Sequence, residues 1–122
     1  MATIELTKDN FTETVTGSDM VLVDFWAGWC GPCRMFAPVY ERVSRRHEDI
    51  VFGKVDTESQ QELAAAFRIS SIPTLMVIRE GVVVYTQAGA LPEQALEALI
   101  ADARALDMDE VRRRIAERSP AA

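Results

Sequence analysis

From Met20 to Trp26 the chain is apolar without alternation, interrupted by a single carboxylate, Asp24. Such a run reads as a central strand covered on both faces. Past Cys33 the spacing changes. Met35, Phe36, Val39, Tyr40 and Val43 describe one buried face of a helix reaching about His47, with Pro38 inside it removing a backbone donor and bending it. Ahead of the central run, Thr3 to Leu6 reads as a short strand. Thr7 then caps a small helix with Phe11 and Val15 on its buried face, and residues 16–19 form a turn. Ile50 to Asp56 is a further strand, and Thr57 or Glu58 opens a short alanine-rich helix through Leu63 and Phe67. Ser70-Ser71-Ile72-Pro73 breaks the chain. Thr74 to Arg79 and Val82 to Gln87 flank Glu80-Gly81 and predict an antiparallel hairpin. Ala88-Gly89-Ala90 reads as a flexible connection. Pro92 suits the first turn of a helix whose apolar face is Leu96, Leu99, Ile100, Ala103 and Leu106.

The order β-α-β-α-β-α-β-β-α predicts an α/β fold, a central mixed sheet flanked by helices on both faces. We read residues 1–106 as one domain and 107–122 as a C-terminal extension. In that extension Met108, Val111 and Ile115 keep helical spacing among Arg112, Arg113, Arg114 and Arg118. This predicts an amphipathic helix to about residue 118, packed back on the domain or offered to a partner, and a frayed end over residues 119–122.

Composition narrows the picture. At 122 residues and 48% hydrophobic content the chain suits one globular core. A net charge of −6 argues against nucleic acid, whose phosphates call for a basic patch. The apolar runs are strand-sized, so no membrane span is predicted. Residues 1–20 lack the basic flank and apolar centre of a signal peptide, so the expected compartment is the reducing cytoplasm.

There, the two cysteines of Trp29-Cys30-Gly31-Pro32-Cys33 are more naturally redox-active or metal-binding than a structural staple. Cys30 falls at the start of the following helix, where unpaired N–H groups and the macrodipole favour an anion such as a thiolate. Cys33 lies one helical turn on, within reach of the Cys30 sulfur, and Gly31 and Pro32 shape the turn between them. Zinc needs four ligands, and the only histidine is His47, so no metal site is predicted. Asp24, inside an apolar strand, is either a desolvated carboxylate suited to moving protons near neutral pH or a strand-end aspartate facing water. Lys54 would lie beside it if the two strands pair. Pro73 reads as a strand-starting proline.

Together, Asp24-Phe25-Trp26-Ala27, Trp29-Cys30-Gly31-Pro32-Cys33, Ile72-Pro73-Thr74 and Gly89-Ala90 resemble the thioredoxin family over about residues 3–106. The resemblance implies the thioredoxin fold and a protein disulfide reductase working by dithiol–disulfide exchange. It makes Cys30 the exposed nucleophile, Cys33 the resolving thiol, Asp24 the carrier of the Cys33 proton, Lys54 the neighbour of Asp24, and Pro73 a cis-proline facing the cysteines. Trp29, Gly31, Pro32, Ile72, Gly89 and Ala90 would form the substrate rim. The resemblance also implies a monomer with no bound cofactor, taking electrons from an external NADPH-dependent flavoprotein, thioredoxin reductase, and passing them to disulfide-containing client proteins. Gly28 and Arg34 depart from the family's usual residues, which bears on partner choice. Oxidising relatives usually place histidine before the second cysteine, so Pro32 argues against an oxidase or isomerase. A second reading makes the domain a binding subunit whose redox state controls a partner.

Overall fold

The computed structural model describes residues 3–118. Its elements are β1 (Thr3–Glu5), α1 (Phe11–Thr16), β2 (Met20–Trp26), α2 (Gly31–Ser44), β3 (Val51–Asp56), α3 (Gln61–Ala66), β4 (Thr74–Arg79), β5 (Val82–Ala88), α4 (Glu93–Arg104) and α5 (Met108–Arg118). The five strands form one sheet in the order β1-β3-β2-β4-β5. β3 runs parallel to β1 and β2, whereas β4 is antiparallel to both β2 and β5.

The continuous apolar run of β2 has a direct physical cause: both of its faces are covered. Met20 and Leu22 join Phe36, Tyr40, Phe52, Leu96 and Ile100 in a cluster formed with α2 and α4. Val21, Val23 and Phe25 point the other way, into a cluster with Phe11 and Val15 of α1 and, at its margin, Leu63 and Phe67 around α3. The two-residue period of a strand therefore puts Asp24 on the α2–α4 face, with Leu22.

Gly53 is required by close packing. A Cβ there would run into the buried Leu6 side chain, while the Tyr40 hydroxyl donates to the Gly53 carbonyl at 2.8 Å. At the Glu80-Gly81 turn both residues have positive φ, 51° and 79°, the backbone that joins twisted antiparallel strands tightly. The hairpin has a register shift near Val77/Ile78 that the sequence pattern does not announce.

Several expectations are corrected. Helix α1 begins at Phe11 and not at a Thr7 cap; Thr7 instead closes a tight turn, its carbonyl accepting from Phe11 N and its hydroxyl from Asp9 N. Helix α2 continues through Pro38 but stops at Ser44. Helix α3 starts only at Gln61, because Thr57 bonds back to the Trp26 carbonyl and Glu58 N to Asp56 Oδ1, which hold residues 57–60 in a turn. Met35, assigned to the buried face of α2, is 76% exposed, and Leu106 is 37% exposed. The Ala88-Gly89-Ala90 stretch is not a free connection: Ala88 belongs to β5 and Gly89 N donates to Pro73 O at 2.8 Å.

In α5 only Met108 is buried. Val111 is half-buried, Ile115 is exposed, and Arg112 pairs with Glu80 of the hairpin. The end expected to fray, residues 119–122, lies outside the described residues. No helix among the described residues is long and apolar enough to cross a membrane.

Candidate active site

The end of β2 and the start of α2 create the site. Cys30 occupies the N-cap of α2 in an extended conformation, φ −86° and ψ 113°. Its sulfur takes the place of a capping oxygen, accepting from Cys33 N at 3.2 Å. Pro32 falls in the first turn, where an amide would have no intrahelical partner anyway. Cys30 and Cys33 are joined as a disulfide with their Cα atoms 5.2 Å apart. Both residues are nearly covered, at 4% and 3% exposure, packed with Ala27, Trp26 and Ile72. The expectation of an exposed Cys30 thus does not hold in this disulfide state, in which the bonded sulfur is drawn against the Ile72 carbonyl at 3.8 Å.

On β2, which leads into the site, Asp24 is 1% exposed, with neither carboxylate oxygen hydrogen-bonded. Desolvation pushes its pKa from 3.8 up to about 7, against a smaller lowering by the charge of Lys54. The water-facing alternative is excluded by this burial. Lys54 is the register partner of Asp24 across the parallel β2–β3 pair. Its ammonium does not pair with the carboxylate; it sits over the Trp26 ring, 4.9 Å from the centroid. Cys33, Asp24 and Tyr40 all serve the α2–α4 side of the sheet, and burial followed by the Asp24 charge raises the Tyr40 pKa well above its usual value. A buried carboxyl group whose pKa is pushed up to about 7 is able to give and take a proton near neutral pH.

Around the disulfide, the Ile72–Pro73 peptide is cis and Pro73 is buried. Ile72 packs on the cysteine cluster, and Gly89, at φ 103°, is tied to Pro73 as described above. Ile72, Pro73 and Gly89 thus lie together, whereas Ala90 lies one step further out on the exposed connection to α4. Trp29 is 67% exposed and its Nε1 donates to Glu58 Oε1 at 3.2 Å. Glu58 is a residue that sequence reasoning missed; only the turn-forming Asp56-x-Glu58 pattern hinted at a fixed position. Arg34 Nη1 donates to Gly28 O at 3.0 Å, so the two departures from the usual family residues touch each other. Among the described residues, no group of three or more His, Cys, Asp and Glu is arranged to hold a metal ion.

The thioredoxin family model matches residues 2–102. It belongs to the thioredoxin family. A protein described as putative thioredoxin 2 of Streptomyces coelicolor is 63% identical over 116 residues, covering 95% of this chain and 87% of that relative. Thioredoxin of Alicyclobacillus acidocaldarius is 44% identical over 102 residues, covering 83% of this chain and 97% of its own. Plasmodium falciparum thioredoxin superposes with a TM-score of 0.76 at 37% identity, covering 82% of this chain and 97% of that one. The chain therefore has the thioredoxin fold and is a thiol–disulfide oxidoreductase with a Cys30–Cys33 redox couple. Helix α5 lies beyond the family match.

Proposed function

We propose that this thioredoxin-family protein is a general protein-disulfide reductase of the cytoplasm, a monomer contributing to cell redox homeostasis. The observation that carries the reading is a Cys30–Cys33 disulfide whose first sulfur caps α2, with a buried, unpartnered Asp24 on the strand that leads into it. In the forward reaction the Cys30 thiolate attacks a client disulfide, forming a mixed disulfide and expelling one client thiolate. Asp24 accepts the Cys33 proton; the Cys33 thiolate then attacks the Cys30 sulfur and releases the second client thiolate. The client gains two electrons, the protein loses them, and the Cys30–Cys33 disulfide is left.

Lys54 acts on Asp24 through its charge. Trp29, Gly31, Pro32, Ile72, Pro73, Gly89 and Ala90 form the face that receives the client, with the Ile72 backbone available to an extended segment. No bound cofactor is needed for these steps. A separate flavin- and NADPH-dependent thioredoxin reductase returns the electron pair, and disulfide-containing proteins are the other partners. The test is reduction of insulin disulfides with dithiothreitol or with a thioredoxin reductase and NADPH: catalysed precipitation supports the reading, and a rate no greater than the reagent alone removes it.

The division into a catalytic domain over residues 1–106 and an extension over 107–122 is part of the same proposal. Truncation after Leu106 removes the buried Met108 and the exposed Arg112–Glu80 pair. Loss of the Met108 contact costs about 2 kcal/mol, and the solvent-exposed pair adds little to that. The expected result is a lower denaturation midpoint with insulin reduction nearly unchanged; a large loss of turnover at full folding would move α5 into client docking.

A further inference from the structure

We propose that Arg34 is a specificity-determining residue of the redox rim, a guanidinium held ready for a carboxylate in the client segment next to the disulfide. The proposal rests on the disulfide-reductase reading and says which clients that site prefers.

Most arginines of the protein are already neutralised. Those in the last turn of α2 and just after it, at the end of β4 and α4, and in α5 up to Arg114 all pair with carboxylates. Arg34, immediately after Cys33 and exposed, takes part in none of the ion pairs found among the described residues. Its one hydrogen bond is to a backbone carbonyl, that of Gly28, and a guanidinium has five N–H donors. The contact therefore fixes the head group without cancelling its charge. Gly28 has no side chain, and nothing lies within 4 Å of where its Cβ would be, so the space above the contact is open.

Holding the guanidinium lowers the ordering cost of a second bond, and its planar fork suits a carboxylate. Elsewhere on the rim, Trp29 Nε1 engages a negative charge, that of Glu58. With a net charge of −6, the molecule repels an acidic client at long range, so an acidic residue is favoured only at the point where this cation stands.

Two cyclic disulfide peptides, identical except for Glu or Lys beside one cysteine, give the test. At low ionic strength the protein is expected to reduce the Glu peptide with a kcat/KM about threefold to tenfold higher, the gap narrowing as salt is added. Arg34→Gln should bring the ratio to near one, Arg34→Glu should invert it, and Arg34→Lys should keep part of it. Equal values for the two peptides with the unaltered protein, or a preference that survives Arg34→Gln, overturns the assignment. So does an equal loss for both peptides in Arg34→Gln, which would make the residue only a brace for the Gly28 loop. If the unaltered protein reduces neither peptide, it is the reductase reading itself that has failed.

Discussion

Cys30→Ser is expected to reduce catalysed insulin reduction to the background rate, a loss on the order of a thousandfold or more, because it removes the attacking atom. A serine oxygen can still cap α2, so the fold should persist; the hydroxyl is simply too weak an acid to supply an anion at neutral pH. Cys33→Ser should fail differently. There the Cys30 thiolate still attacks and the first client thiolate leaves, but no second thiol stands one turn into α2 to displace the client. The expected product is a stable mixed disulfide at Cys30, seen as the summed mass on a non-reducing gel or in mass spectrometry and lost on adding dithiothreitol. If Cys33→Ser accumulates no such adduct while Cys30→Ser does, the roles of the two cysteines are reversed. Equal partner sets from the adduct-forming protein and the double serine variant would favour docking over exchange.

The second large effect belongs to Asp24. Its folded-state pKa of about 7 exceeds the 3.8 of the free side chain because the site is dry, so the sign is opposite to that of a salt-bridged aspartate. Below pH 3.8 the group is protonated in both states and contributes no difference. Between 3.8 and about 7 the native protein binds a proton that the unfolded chain has released, and stability falls as pH rises through that window. Above it the full penalty of a buried carboxylate is present, on the order of 4 kcal/mol. Asp24→Asn removes this dependence. Denaturant unfolding of the oxidised proteins should therefore show the variant gaining on the original by about that amount between pH 4 and pH 8, with other carboxylates cancelling in the difference. The same variant should exchange disulfides more slowly, by about tenfold or more and most strongly near neutral pH. A pH–rate profile unchanged by the substitution would take Asp24 out of proton transfer, whatever its effect on stability.

Much of this was legible from residue patterns. The unbroken apolar run of β2 announced a strand with two covered faces; the lone carboxylate within it left two readings open, desolvated or facing water, and burial by the finished fold decides for the first. The Asp24–Lys54 neighbourhood followed from strand pairing. What the pattern could not reach depends on contacts made across the fold. Helical spacing put Met35 on the buried face, yet the residue is exposed in the finished structure. The turn at residues 57–60 wins over helix because Thr57 finds the distant Trp26 carbonyl. Which partners Trp29 and Arg34 find, Glu58 and the Gly28 carbonyl, is not written in residue spacing. Nor could spacing tell that Lys54 would lie on an aromatic ring and not against the carboxylate it faces.

The sulfur that caps α2 has a consequence for how the electron pair is registered by the chain. In the oxidised protein the Cys33 amide donates to a neutral, divalent sulfur; after reduction the same amide faces a thiolate, a far stronger acceptor. Gaining electrons thus strengthens the hydrogen bond that closes the first turn of α2, and handing them on weakens it. The backbone proton of Cys33 is a gauge of oxidation state built into the helix, and a partner gripping that turn meets a stiffer surface before transfer than after it.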